Sequence, residues 1–292
     1  MKRIAIDRTR GRNLQAFASL LGALMLMAST AFVSTEALAQ IALTKHNLGS
    51  GNAISGANKF SGTGEICVFC HTPHGGDTSA AVPLWNRTLP LPTTYTTYDS
   101  LGTSTLDGKT LPVGSVSIAC LSCHDGTQAM NSVINAPGSG LAGDTAWTTG
   151  TWSGTRQTAG VINSTSAALL GTDLQNDHPI GIQYCGGGYT VAAGTGTCAD
   201  ADFNAPVSAT IGPGKVFWVN TAGGTAGRDK TDMILYNRTG TFTTASGGGT
   251  AAAGGEPFVE CASCHDPHTN AQPTFLRTSN AGSGVCLACH VK

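Results

Sequence analysis

Eight of the ten cysteines fall into four C-x-x-C-H motifs: Cys67/Cys70/His71, Cys120/Cys123/His124, Cys261/Cys264/His265 and Cys286/Cys289/His290. That spacing is what covalent attachment of a c-type haem requires. Two thiols add across the vinyl groups to make thioethers, and the adjacent imidazole becomes the iron's proximal ligand. Zinc also uses C-x-x-C pairs, but it has no reason to require a histidine directly after each one. All four pairs have that histidine.

Eight histidines are present, so four remain after the proximal set: His46, His74, His178 and His268. Read singly, each would be an ordinary surface or core histidine. Together they equal the number of distal ligands that four six-coordinate irons need, which points to bis-histidine ligation throughout. Met130 and Met233 are the alternative axial ligands; methionine would raise the potential and strand a histidine. Closed coordination argues for electron transfer, because an enzyme acting on a small substrate at iron needs an open sixth position. The remaining cysteines, Cys185 and Cys198, lie in YCGGGYTVAAGTGTC. In an oxidising compartment they are expected to form one disulfide, since C-x12-C is not a redox-catalytic spacing.

The motifs repeat as two modules. His46, CVFCH-TP-His74 and CLSCH form the first; His178, CASCH-DP-His268 and CLACH form the second. Within each H-x-P-H unit the two histidines are joined by a tether of at most ~10 Å, shortened by proline. The second histidine cannot readily bend round the macrocycle bound by the first, so His74 and His268 are expected to ligate a different haem from their neighbour's.

Residues 1–39 read as a cleaved export signal. Lys2, Arg3, Arg8, Arg10 and Arg12 precede an apolar run from about Phe17 to Val33, which ends at Ala37-Leu38-Ala39. Five of the 16 Lys+Arg and two of the 17 Asp+Glu lie there, which leaves the remainder at net −4 and without a nucleic-acid footprint. Only 11% of residues are charged, 39 are Gly and aromatics are 6%. Such a composition is poor in the side chains of a conventional core. The expected divisions are the signal (1–39), an N-terminal dihaem module (40–136), a Gly/Thr/Ser-rich connection with His178 and the disulfide (137–256), and a C-terminal dihaem module (257–292). Short helices are expected to start at the C-x-x-C-H motifs. KVFWV and DMILY read as short strands, and most of 137–171 and 187–256 as loops. LWNRT (84–88) and LYNRT (235–239) recur, with Arg87 and Arg238 either pairing with haem propionates or lying on the surface.

The combination of KHNLGSG, CVFCHTPHG, PLWNRT, ACLSCHDGT, NDHPIG and ECASCHDPH resembles extracellular multihaem c-type cytochromes with doubled C-x-x-C-H motifs. Within these it is similar to the tetrahaem cytochromes of OmcE type, which polymerise into conductive filaments. The resemblance implies a secreted, largely coil protein wrapped around a continuous stack of four c-type haems. It implies that the eight histidines ligate the irons, that the chain self-associates, and that one iron takes its distal histidine from a neighbouring subunit. His46, near the expected mature N-terminus, is the candidate for that intermolecular ligand. A monomeric periplasmic carrier and a multihaem oxidoreductase with one open iron are the rival functions.

Overall fold

The computed structural model describes residues 40–137, 140–141, 147–212, 214–221, 227–242 and 249–291. The expected export signal, 1–39, lies outside the described residues. Gln40–Lys292 forms one compact unit.

The principal regular element is an antiparallel sheet built from the most apolar, β-branched stretches. Its strands are β1 (Ile182–Gln183), β2 (Val207–Ile211), β3 (Gly214–Val219), β4 (Met233–Arg238) and β5 (Glu256–Val259). Their order is β1-β5-β4-β3-β2. In the central pair Met233 lies opposite Val219 and Leu235 opposite Phe217. Alternate positions of a strand face one side, and here Met233, Leu235, Phe217 and Val219 are all buried. They pack with Tyr184, Cys185, Tyr189, Val259 and Ala288. The expected connection, 137–256, thus contributes β1 to β4, of which β3 and β4 are the stretches KVFWV and DMILY read as strands and β1 and β2 are additions. Cross-strand pairing supplies what Gly- and Thr-rich flanks conceal from a local reading.

Three helices carry attachment motifs: α1 (Ser115–His124), α2 (Cys261–Cys264) and α3 (Gly284–Cys289). Cys67–Phe69 forms a single 3-10 turn. Only Cys67–Phe69 and α2 start at the first cysteine. α1 begins five residues earlier and ends on its motif, because Ile118, Ala119 and Leu121 anchor it against Trp85, Val113 and Leu174.

Apolar side chains gather in separate small clusters rather than one core. Besides the sheet cluster and the α1 cluster, Phe60, Phe69, Leu48, Met130 and Ile162 pack with Trp147 and Trp152, and Leu111, Phe242, Ala251 and Phe258 form a fourth. The fold positions the motifs through direct connections. β5 runs into Glu260, whose carboxylate accepts the α2 N-terminal turn while its N–H donates to Ser263 Oγ at 2.9 Å, a capping box. β1 runs into the turn Tyr184–Gly186, beside the Cys185–Cys198 disulfide with its Cα atoms 5.3 Å apart.

Candidate haem centre

The motifs share one backbone closure. The N–H of His71 donates to the Cys67 carbonyl at 2.7 Å, that of His265 to Cys261 at 3.1 Å and that of His290 to Cys286 at 2.8 Å; Cys120–His124 is the last turn of α1. A helical turn places residues i, i+3 and i+4 on one face, which here are the two cysteines and the histidine.

A second layer then orients the rings. Nδ1 of His71 meets the Pro83 carbonyl, Nδ1 of His124 that of Ala168, and Nδ1 of His265 that of Thr274, each at 2.8 Å. Carbonyls only accept, so each ring is the Nδ1–H tautomer and its lone pair sits on Nε2, the nitrogen that a metal would take. The repeat is legible in these contacts. Thr72 N donates to Leu84 O and Asn86 N to Cys70 O; Asp266 N donates to Phe275 O and Arg277 N to Cys264 O. His71 bridges Trp85 as His265 bridges Leu276. Leu84 and Phe275 both have positive φ, 55° and 63°.

Two of the four remaining histidines face a proximal partner. The rings of His71 and His268 are 6.2 Å apart and 19° from parallel. Those of His46 and His124 are 6.0 Å apart and inclined at 70°. A metal–imidazole bond is roughly 2.0–2.1 Å, and a ring centre lies about 1 Å behind its nitrogen, so two imidazoles on opposite faces of one iron have centroids about 6 Å apart. Both pairs fit that dimension. Burial, reinforced by His124, lowers the pKa of His46 to about 4. Burial lowers that of His124 too. Both shifts favour the neutral imidazole, the form that ligates. His74 and His178 lie at the surface, with Nδ1 of His178 on the neighbouring Pro179 carbonyl at 3.0 Å. The ring of His290 lies 4.3 Å from that of Phe203.

The cysteines of successive motifs are neighbours. Cys70 lies beside Cys123, Cys120 beside Cys261, and Cys264 beside Cys286 and Cys289. The second and third motifs are also latched by Ser117 of α1, whose hydroxyl donates to Glu260 Oε2 and accepts from Cys261 N at 2.9 Å.

Two expectations about arginines need correction, and so does the premise behind a third. His46 as an intermolecular ligand assumed a poorly anchored segment. That segment is tied down by Asn47 Nδ2 to Ala42 O at 3.0 Å, Asn52 Nδ2 to Thr44 O at 3.2 Å and Asn270 Nδ2 to Leu43 O at 3.3 Å. His46 lies beside His124 of its own chain, and ligation to a neighbour stays a proposal. Met130 and Met233, the alternative axial ligands, are buried within apolar clusters. Arg87 and Arg238 are neither surface residues nor free for propionates. Arg87 is fully buried and gives four N–H bonds to Ser122 Oγ, Ser122 O, Met130 O and Ala129 O, at 2.8–3.1 Å. Arg238 bonds Glu260 Oε1 at 3.0 Å and Pro112 O at 2.7 Å. The recurrence of N-R-T marked both arginines, but their partners are distant in sequence. Glu260 and Phe275 were missed altogether; the capping-box pattern E-x-x-S before a short helix was the available signal for Glu260.

Residues 251–292 match the family model of the doubled CXXCH motif. That motif is a haem-binding feature of c-type cytochromes, and it indicates covalently bound haem iron and a part in electron transfer. No curated protein matches the chain.

Proposed function

We propose that the protein is a tetrahaem c-type cytochrome for long-range extracellular electron transfer, with every iron closed by two histidines and no catalytic site. Bound haem would supply reversible one-electron iron chemistry. Cys67, Cys70, Cys120, Cys123, Cys261, Cys264, Cys286 and Cys289 would hold the four groups, with His71, His124, His265 and His290 as proximal ligands. The two histidine pairs at 6.0 and 6.2 Å carry this reading.

The repeat extends those pairs to a full set. His46 faces the second motif of its own module, so His178, its counterpart, is assigned to His290. His268 faces the first motif of the other module, so His74 is assigned to His265. Each H-x-P-H unit then contributes one ligand to its own haem and one to its counterpart's, a reciprocal cross-link between the modules. The neighbouring cysteines of successive motifs support a continuous path from the first site to the fourth. The coil-rich chain would wrap around that path. The N-terminal signal supports a secreted or cell-surface location. Sparse charge is compatible with self-association, and the resemblance to filament-forming cytochromes supports a homopolymer that passes electrons to redox partners or extracellular acceptors.

A second reading is favoured by one observation. His46 sits beside His124 within one chain, so all four irons can be closed without a neighbour, as a monomeric periplasmic carrier would need. Electron microscopy of the purified holoprotein separates the two readings by the presence or absence of filaments. The ligand set is tested by haem stoichiometry and by His268→Ala. Four haems, with one becoming high-spin and able to bind CO in the variant, are expected. A native protein that already binds CO would instead mark an open, enzyme-like iron.

A further inference from the structure

Phe275 is the residue that breaks the symmetry between the modules. Its ring lies 4.3 Å from that of His46 and within 10° of parallel, a stacked contact. It sits in an unusual turn: Thr274 and Phe275, neither of them glycine, have φ of 55° and 63°. L-residues occupy that region at a cost, and such strain persists only where the surrounding structure over-determines it. Two backbone contacts do so here, since the Thr274 carbonyl accepts from His265 Nδ1 at 2.8 Å and the Phe275 carbonyl accepts from Asp266 N at 2.8 Å. The first module has a related turn, with the Pro83 carbonyl on His71 and only Leu84 at positive φ, 55°. Leu84 is an aliphatic side chain, 52% exposed.

The His46 ring is therefore held at more than its metal-facing nitrogen. The Pro267 backbone lies beside it, and Phe275 covers its face. Both constraints come from the loop that follows the third motif, although the ring faces the histidine of the second. A stacked aromatic face fixes the ring plane. The plane so fixed is inclined at 70° to His124. The other pair, His71 and His268, is 19° from parallel.

We infer that Phe275 is a positioning residue that locks the His46 imidazole nearly perpendicular to His124, giving the haem at Cys120/Cys123 an electronic structure distinct from that of the haem at Cys67/Cys70. The inference rests on the ligand set proposed above. In ferric low-spin haem, near-parallel axial imidazoles split the iron d orbitals and give a rhombic electron paramagnetic resonance spectrum. Near-perpendicular imidazoles leave them close to degenerate and give a highly anisotropic signal with one large g value.

The test is low-temperature electron paramagnetic resonance of the ferric holoprotein, with Phe275→Leu, which installs the side chain of the first module, and Phe275→Tyr, which keeps the aromatic face. The native protein should show a large-g signal together with a rhombic one. Phe275→Leu should lose or shift the large-g signal while the optical spectrum stays low-spin, and Phe275→Tyr should retain it. If Phe275→Leu releases His46 instead, a high-spin haem should appear that Phe275→Tyr does not show, which also supports positioning by the ring. A Phe275→Leu spectrum identical to the native one overturns the inference. His46→Ala separates that failure from failure of the ligand set. A high-spin haem there keeps His46 as a ligand whatever Phe275 does, and its absence removes the ligand assignment and the inference with it.

Discussion

Replacing Arg87 by lysine keeps a positive charge at the same place and removes the planar fork. Arg87 is fully buried, and four of its N–H groups end on protein oxygens: Ser122 Oγ and O, Met130 O and Ala129 O. Ala129 O also accepts from Ser132 N, so the carbonyls that depend most on the guanidinium are those of Ser122 and Met130. A buried acceptor left without its partner costs about 1–3 kcal/mol, and an ammonium can reach only part of this set at once. Arg87→Lys is therefore expected to destabilise by about 2–4 kcal/mol, and Arg87→Ala, which also leaves a cavity, by about 3–5 kcal/mol. Guanidinium chloride unfolding of the haem-loaded protein, followed by far-ultraviolet circular dichroism, measures the difference. Haem loading should be quantified in the same samples, because Ser122 lies between Cys120 and Cys123. A lysine variant within about 0.5 kcal/mol of the native protein would refute the assignment of Arg87 as the clamp between α1 and the 129–130 loop.

Burial of Glu260, opposed by Arg238, raises its pKa from 4.5 to about 7. A raised acid pKa means the folded state holds the proton more tightly, so this contribution is fully present below about 4.5 and is lost as pH rises through about 7. Urea unfolding should lose on the order of 3 kcal/mol across that window, and Glu260→Gln should flatten the profile; an equally steep profile in the variant would reassign the effect. Breaking Cys185–Cys198, a separation of 13 residues, by the double serine variant should cost about 3 kcal/mol, read as a lower melting temperature that no longer responds to reductant. Gly188 has φ 94°, and a Cβ there would meet the Thr197 carbonyl at 1.9 Å. Gly188→Ala should therefore destabilise by more than about 1 kcal/mol, whereas Gly51→Ala, with nothing within 4 Å, should leave the melting temperature unchanged.

Much of the site was legible before any fold was known, because its chemistry is local. C-x-x-C-H is a five-residue requirement, and the helical turn that closes it needs no distant partner. The duplication was equally visible, and the structure repeats it in paired backbone contacts around His71 and His265. Arg87 and Arg238 were noticed through N-R-T, but their roles were misjudged. Their acceptors, Ser122 and Glu260, are 35 and 22 residues away, and nothing in a motif says which oxygen a guanidinium will find. The sheet was only partly legible. β3 and β4 announce themselves by composition, whereas β2 is strand because it has β3 to pair with.

By itself the sequence determined the inventory: four attachment motifs, eight histidines, two modules, and a chain too poor in large apolar side chains for one conventional core. Only the tertiary structure decided who faces whom. His268 meets His71 and His46 meets His124, pairs separated by 197 and 78 positions in the chain. A ligand pair is a relation between two faces brought within about 6 Å, and the backbone contacts, caps and clusters that bring them there are long-range. Under the proposed ligation, spacing along the chain would encode the first ligand of each iron, and the second would exist only once the chain has closed on itself.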